Sequence, residues 1–227
     1  MKKSNIFAII ILSSMFFLMF FSSWEDSATF DEVAHIGAGY SYLTQLDGRL
    51  NSEHPPFIKY LSALPLLFLD LEKPGFDGEK PGFNIENVND RQWIYGGSLL
   101  YESENDADKI LLFSRLPIII LSTIFGWILF WWTRKNYGAR PAILTLILFA
   151  LSPTFLAHSR YVTTDLGAAL AFFLSIIFFI RFLEKNDRKS AIYFGLVLGF
   201  SLLVKFSLII LLPFFAIFIV WHFIKNS

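Results

Sequence analysis

The sequence contains no cysteine, which excludes disulfide bonds, cysteine-ligated zinc sites, iron–sulfur clusters and thiol chemistry. Charged residues are also scarce. They make up 17% of the 227 residues, whereas soluble domains contain about 25%. Basic residues form no stripe away from the ends of the apolar runs, which argues against nucleic-acid binding. Hydrophobic residues account for 55% of the chain, and 27 residues are Phe. Because many of them lie in runs long enough to cross a bilayer, the sequence predicts a membrane protein.

The charged residues are unevenly distributed, although the net charge is zero. Residues 23–108 contain 16 of the 19 acidic residues and 5 of the 19 basic residues, which gives this block a net charge of −11. The acidic block lies between apolar runs and therefore predicts one large aqueous loop. Basic residues cluster at the opposite ends of the runs, as at Lys3 and Arg134–Arg140. By the positive-inside rule, these clusters mark the cytoplasmic side.

These patterns predict an all-α polytopic membrane protein, with a single membrane domain over residues 1–227. We expect about six transmembrane helices, both termini inside, and a large first external loop that bears helices lying on the membrane surface. The predicted spans are 6–22, 110–132, 141–157, 166–183, 191–206 and 207–223, and the predicted external loop is 23–109. A signal peptide would also begin like the first run. That run is long for a signal peptide and lacks a clean cleavage site, which favours a first span.

The last apolar stretch, Ala191–Phe223, allows two arrangements. As one helix it would be about 50 Å long, which exceeds a hydrocarbon core of roughly 30 Å. Two short spans joined by a tight external turn near Lys205 fit better. The other arrangement is one long tilted helix followed by a surface helix.

Ionisable residues near the outer boundary are the candidates for function, because charge is costly within a bilayer. The predicted topology brings them from four separate stretches of the chain to one face of the membrane. They are Asp31, Glu32, His35, Glu53, His54, Arg115, Arg160, Asp165 and Lys205. Because the charges lie at one surface and the middle parts of the first four spans are apolar, a transporter is disfavoured.

The acidic pair Asp31-Glu32 has a structural and a functional interpretation. Thr29 and Glu32 match a capping box, in which Glu32 would stabilise the start of a helix. Asp31 is not needed for that cap, which favours a functional role. His35 lies one turn further on the same helix face. The pair Asp31 and His35 could hold a metal ion, but no further clear ligand follows, so a hydrogen bond is the favoured interpretation.

The basic candidates and the His54 segment carry similar alternatives. An arginine at a span end often extends its charge to lipid headgroups. For Arg115 and Arg160 this structural interpretation is weaker, because positive residues prefer the inner side of the membrane and both arginines are predicted at outer ends. Lys205 lies within an apolar stretch and needs an anionic partner, which a lipid phosphate would supply. Glu53-His54 precede two prolines that stop a helix from running through them, and an ordinary loop is an equal alternative there.

Several segments together resemble a known family. Asp31-Glu32-Val33-Ala34-His35 followed by Glu53-His54-Pro55-Pro56 is similar to the first external loop of dolichyl-phosphate-mannose–protein mannosyltransferases and of their bacterial relatives, including the aminoarabinose transferases of lipid A. The stretch from Ser152 to Arg160, with Asp165 beyond it, resembles their second external loop. The surroundings of Lys205 resemble the segment with a basic residue near the donor phosphate. The resemblance implies the GT-C fold of membrane glycosyltransferases.

The resemblance also implies a chemistry. A hexose, mannose-like, would pass from a polyprenyl-phosphate donor to an acceptor hydroxyl of a protein, lipid or glycan on the external face, with inversion and with neither a cofactor nor a metal. Asp31 and Glu32 would be catalytic, with Asp31 as the base. Arg115, Arg160 and Lys205 would bind the donor phosphate. The substrate-binding or supporting residues would be His35, Glu53, His54 and Asp165.

Family members are usually longer and have more spans, so the resemblance is to their N-terminal catalytic half. An alternative is therefore a truncated or split, non-catalytic subunit that binds lipid or glycan, with a partner chain supplying a missing C-terminal half. In either case we expect a multi-pass integral membrane protein, in the plasma (cytoplasmic) membrane if the source is prokaryotic.

Overall fold

The computed structural model describes residues 3–46, 48–74 and 90–226, and every regular element in these residues is helical. The ten α-helices of this described part are α1 Lys3–Ser22, α2 Phe30–Thr44, α3 Phe57–Ala63, α4 Arg91–Gly97, α5 Ala107–Tyr137, α6 Ala139–Ala150, α7 Pro153–His158, α8 Asp165–Lys185, α9 Arg188–Val204 and α10 Leu211–Asn226. Shorter helical turns adjoin three of them at Leu64–Phe68, Ser98–Glu102 and Phe206–Ile210. Residues 75–89 of the predicted external loop lie outside the described residues.

Four helical segments are long and apolar enough to cross a membrane, and they confirm the all-α polytopic class. They are Lys3–Ser22, Ala107–Tyr137, Asp165–Lys185 and Phe206–Lys225. Two further predicted spans correspond to shorter helices and stay predictions. In the span 141–157, helix α6 ends at Ala150 and α7 begins at Pro153, because a proline disfavours the helical conformation of the residue before it. The span 191–206 corresponds to α9.

The helices group into two compact units, and the single membrane domain stays a prediction. One unit combines Met1–Ser52 with Ile58–Leu166, and the other combines Glu53–Phe57 with Gly167–Ser227. The division follows the helix order, since α1 to α7 belong almost entirely to the first unit and α8 to α10 to the second.

In the first unit, α1 and α5 run antiparallel. Near the start of α1, Asn5 accepts a hydrogen bond from Arg134 close to the end of α5. Beyond the other end of α1, the carbonyl of Ser23 accepts one from Arg115 near the start of α5. Arg115 and Arg134 are 19 positions apart on α5, which corresponds to about 28 Å of helix. The two polar ends are therefore separated by about the thickness of a hydrocarbon core.

Apolar side chains fill the space between these ends, and a second small core lies around α2 and α4. Helices α1, α5 and α6 share a cluster formed by Ala8, Leu12, Phe130, Ala142 and Leu146. Helix α2 packs closely on α4, and a Cβ added at Gly96 would lie 1.9 Å from the carbonyl oxygen of Val33. Because no side chain fits there, this glycine permits the close crossing that seats α2 in the loop.

In the second unit the chain reverses near Lys205. Helix α9 ends at Val204, and Lys205 has extended backbone angles of φ −152° and ψ 128°. The rings of Phe194 in α9 and Phe215 in α10 lie 5.1 Å apart, although 21 residues of continuous helix would separate them by about 31 Å. Both rings also contact Phe179 in α8. The chain thus turns back at Lys205 instead of continuing as one long helix.

Candidate functional site

Glu32 lies at the centre of a polar cluster beside the C-terminal end of α1, and its side chain is fully buried. Its Oε2 accepts hydrogen bonds from the backbone N–H of Thr29 at 2.9 Å and from the Thr29 hydroxyl at 3.1 Å. The first of these is the predicted capping contact. The two carboxylate oxygens also pair with Arg115, through Nε at 2.8 Å and Nη2 at 2.8 Å. Glu32 therefore caps α2 and forms a bidentate ion pair at the same time.

Arg115 uses every N–H of its guanidinium group within the protein. Besides the two bonds to Glu32, Nη1 donates to the carbonyls of Ser23 at 2.9 Å and Asp26 at 2.8 Å, and Nη2 donates to the carbonyl of Ser27 at 3.0 Å. A guanidinium carries five N–H donors, and its side chain is fully buried. In this structure no N–H of Arg115 is left for the donor phosphate that the sequence suggested as its ligand.

The segment between α7 and α8 is held against α2 through both backbone polar groups of one residue, Val162. Its N–H donates to Oε1 of Glu32 at 3.0 Å, and its carbonyl lies 2.9 Å from Nδ1 of His35. A carbonyl only accepts, so Nδ1 of His35 carries the proton. Glu32 and His35, one turn apart on α2, thereby fix the position of the residues that precede Val162, which are Arg160 and Tyr161.

Arg160 differs from Arg115 in how much of its guanidinium is occupied. Its Nη1 contacts the carboxylate of Asp26 at 2.8 Å and the carbonyl of Ser22 at 2.6 Å. Within the described residues, Nε and Nη2 have no hydrogen-bond partner. About a quarter of the side chain is exposed. Arg160 is thus a cation that is held in place by one nitrogen and keeps others for a ligand.

Tyr161 connects the two arginines. The centroid of its ring lies 4.6 Å from Cζ of Arg160 and 5.0 Å from Cζ of Arg115. Its hydroxyl donates to Asp26 at 2.9 Å. Burial raises the pKa of Tyr161, and the hydrogen bond to the Asp26 carboxylate raises it further. The phenol therefore stays protonated at neutral pH and keeps donating to Asp26.

A cleft of about 280 Å³ opens beside Arg160, between the end of α1 and α7. Among the described residues that line it, Arg160 alone is charged, and all the others except Ser22 are apolar. The lining residues are Leu18, Met19, Ser22, Pro153, Leu156, Ala157 and Arg160. A cleft of this kind suits a ligand with an anionic head and a hydrocarbon tail.

Asp31 is exposed next to the buried Glu32, in the first turn of α2. It makes no hydrogen bond or ion pair with the part of the chain that the structure describes. The neighbouring Phe30 is 74% exposed and stacks on Trp93, with ring centroids 3.9 Å apart. Asp31 thus offers a carboxylate with free acceptor positions at the edge of the same cluster.

The remaining predicted residues fall into two groups. His158 and Asp165 form an exposed pair, with Nδ1 and Oδ2 at 3.6 Å. Glu53, His54 and Lys205 belong to the second unit. Among residues 3–46, 48–74 and 90–226, no group of three or more His, Asp or Glu side chains is arranged to hold a metal ion.

Three residues of the first unit were not among the candidates from sequence. Asp26 and Tyr161 orient Arg160. In the sequence, Asp26 follows the end of the first predicted span, and Tyr161 is the neighbour of Arg160.

The third residue is Lys59. Its side chain is buried, and its Nζ donates to the carbonyl of Asn51 at 2.6 Å, to Oδ1 of Asn51 at 3.0 Å and to the hydroxyl of Tyr42 at 3.0 Å. It holds Asn51, whose φ is 51°, at the start of the loop that carries Glu53. In the sequence, the feature that could have pointed to Lys59 is its position as a charged residue inside an apolar stretch.

Comparison with known proteins gives one family. A family model described as dolichyl-phosphate-mannose-protein mannosyltransferase matches residues 110–227, just over half of the chain. The match includes Arg115, Arg160, Asp165 and Lys205, and it begins after the segment that carries Asp31. No curated protein matches the chain, and no solved structure does.

Proposed function

The chain belongs to the dolichyl-phosphate-mannose-protein mannosyltransferase family, and we propose that it transfers a hexose from a polyprenyl-phosphate donor to an acceptor hydroxyl with inversion. Family membership makes it a membrane glycosyltransferase of the mannosyltransferase kind. The donor, the direction of attack and the roles of individual residues are our proposals.

One observation carries the assignment of roles. Asp31 is adjacent to Glu32, Arg160 is two residues from Val162, and Glu32 and Val162 are joined by a hydrogen bond. A carboxylate with free acceptor positions and a partly unoccupied guanidinium, from two distant external loops, are therefore fixed to one small cluster. Inverting transfer needs these two groups, a base for the acceptor and a cation for the leaving group.

In the proposed reaction, Asp31 accepts the proton of the acceptor hydroxyl as its oxygen attacks the anomeric carbon. The bond between that carbon and the phosphate oxygen breaks, and its electron pair leaves with the polyprenyl phosphate. Arg160 stabilises the charge that develops on this phosphate through its unoccupied N–H groups. The products are the glycosylated acceptor, polyprenyl phosphate and a proton on Asp31.

The cleft beside Arg160 supports the lipid character of the donor. With the phosphate at Arg160, the first isoprene units would contact Leu18, Met19 and Leu156, which line the cleft. A nucleotide-linked sugar would leave these apolar side chains without a partner.

The other candidates receive supporting roles. Glu32, Arg115 and His35 orient the two loops, because their polar atoms are engaged in holding the backbone. For Lys205 as a cation for the donor phosphate, and for Glu53, His54 and Asp165 as contacts for sugar hydroxyls, we keep the roles that the family resemblance implies.

The proposal is tested by hexose transfer in membranes that contain this chain, with labelled polyprenyl-phosphate hexoses as donors. Asp31→Asn should lower turnover by at least about 10²-fold, because it removes a general base and preserves size. The matched control is Asp108→Asn, since Asp108 is also an exposed acid in the first turn of a helix, and it should keep wild-type turnover.

Two results would contradict the proposal. Wild-type turnover of Asp31→Asn would remove Asp31 from the mechanism. Failure of the correctly inserted wild-type chain with every hexose donor would favour a non-catalytic subunit that needs a partner chain.

A further inference from the structure

A second groove lies at the opposite end of the first unit, between α1 and α6. Its volume is about 420 Å³. The lining residues are Lys3, Ser4, Phe7, Ala139, Arg140, Ile143, Leu144 and Ile147. It is near Arg134, which is about 28 Å of helix from Arg115, so it is separate from the cleft beside Arg160.

Two cations stand at the mouth of this groove, and no acidic residue is among the described residues that line it. Lys3 and Arg140 are both exposed, and neither has a hydrogen bond or ion pair within residues 3–46, 48–74 and 90–226. Nearby basic residues are engaged: Arg134 donates to Asn5, and Lys135 lies 5.5 Å from the ring centroid of Trp131. The mouth is therefore complementary to an anion.

The walls of the groove are apolar and run from the two cations toward the middle of α1 and α6. Arg140, Leu144 and Ile147 are spaced four and three residues apart, so they share one face of α6. Phe7 follows Lys3 by four residues and shares a face of α1 with it. On α6 the distance from Arg140 to Ile147 is about 10 Å along the helix axis. The groove thus has cations at its mouth and apolar side chains one to two helical turns beyond them. This arrangement matches the charged head and the first part of an acyl chain of a phospholipid.

We propose that this groove binds one anionic diacyl phospholipid. Its phosphate lies between Lys3 and Arg140, and one acyl chain runs along Phe7, Leu144 and Ile147. A soluble phosphate would leave the apolar wall unused, and a lipid with a zwitterionic headgroup would bring its own cation and no net negative charge to balance Lys3 and Arg140. The site is independent of the transfer reaction proposed above.

The charge component is tested by native mass spectrometry of the detergent-purified full chain, titrated with dioleoyl phosphatidylglycerol. A basic residue at an anionic lipid surface contributes roughly fivefold to binding, so the double variant Lys3→Gln/Arg140→Gln should bind about 25-fold more weakly. The control Lys189→Gln removes an exposed cation from the start of α9 and should change the affinity less than about twofold. Dioleoyl phosphatidylcholine, with the same chains, should bind the wild type far more weakly.

The groove itself is tested by filling it. Leu144 is 58% exposed and lines the groove, whereas Leu148 is 65% exposed and does not. Leu144→Trp should weaken binding of the phosphatidylglycerol at least threefold with both cations intact, and Leu148→Trp should not. The proposal is overturned if the charge variants bind like the wild type, if the two tryptophan variants behave alike, or if a polyprenyl phosphate binds more tightly than the phospholipid.

Discussion

Replacing Arg115 with methionine should destabilise the protein far more than the same change at Arg134 on the same helix. In the wild type, Arg115 is fully buried and donates five hydrogen bonds, two to Glu32 and three to backbone carbonyls. Its removal leaves the buried carboxylate of Glu32 without a counter-charge, which costs about 3–5 kcal/mol of unfolding free energy. Arg134 is half-buried and has a side-chain contact with Asn5, so Arg134→Met should cost about 1 kcal/mol.

A double-mutant cycle separates the ion pair from other effects of the substitution. Glu32→Gln alone leaves the guanidinium buried beside a neutral amide and should also be strongly destabilising. In the double variant Glu32→Gln/Arg115→Met neither charge remains, so its cost should fall short of the sum of the single variants by about 2 kcal/mol. The parallel cycle of Glu32→Gln with Arg134→Met should be additive, because Arg134 is 19 positions along α5 from Arg115, the residue that pairs with Glu32.

The unfolding free energies can be measured by reversible denaturant titration in detergent micelles, with the fluorescence of the six Trp residues as the signal. The reasoning is refuted if Arg115→Met is no more destabilising than Arg134→Met. It is also refuted if the cycle of Glu32 with Arg115 is additive, since then the pair makes no coupled contribution.

Two further predictions concern the donor and the external loop. In initial-rate measurements, Arg160→Gln should raise the KM for the polyprenyl-phosphate donor by about 10- to 100-fold, which corresponds to the loss of a charged hydrogen bond. The KM for the acceptor should stay unchanged. Equal rises for both substrates would exclude a phosphate contact. Gly96→Ala should cost about 1–3 kcal/mol or more, because its Cβ would lie 1.9 Å from the carbonyl oxygen of Val33. The adjacent Gly97→Ala, with nothing within 4 Å of its Cβ, should leave the thermal midpoint unchanged, and an equal effect of both substitutions would rule out a close crossing of α2 and α4.

The fold class could be predicted from the sequence because it depends on local patterns. Apolar runs of spanning length and the segregation of charge are both visible without knowledge of any contact. The hydropathy pattern is less informative where a single residue, such as a proline, ends a helix. The apolar run 141–157 is continuous in hydropathy, yet Pro153 divides it into α6 and α7. The two-unit organisation depends on contacts between distant segments and had no local signal.

In the candidate site, too, contacts between near neighbours in the sequence could be predicted, and contacts between distant residues could not. The cap formed by Thr29 and Glu32 spans three residues and was predictable. The ion pair of Glu32 with Arg115 joins residues 83 positions apart, and the contact of Glu32 with Val162 joins residues 130 apart. Sequence could nominate these residues as costly charges, but it could not say which charge neutralises which.

The two arginines show why the partner decides the role. Arg115 and Arg160 were predicted alike, as donor-phosphate ligands at external span ends. The structure separates them, since the guanidinium of Arg115 has every N–H satisfied by protein acceptors and that of Arg160 is held through Nη1 alone. An activity screen would score both as essential, because loss of Arg115 releases the backbone that positions Asp26, and Asp26 holds Arg160. Only paired measurements distinguish them: Arg115 should govern the unfolding free energy, and Arg160 should govern donor affinity in a protein of unchanged stability.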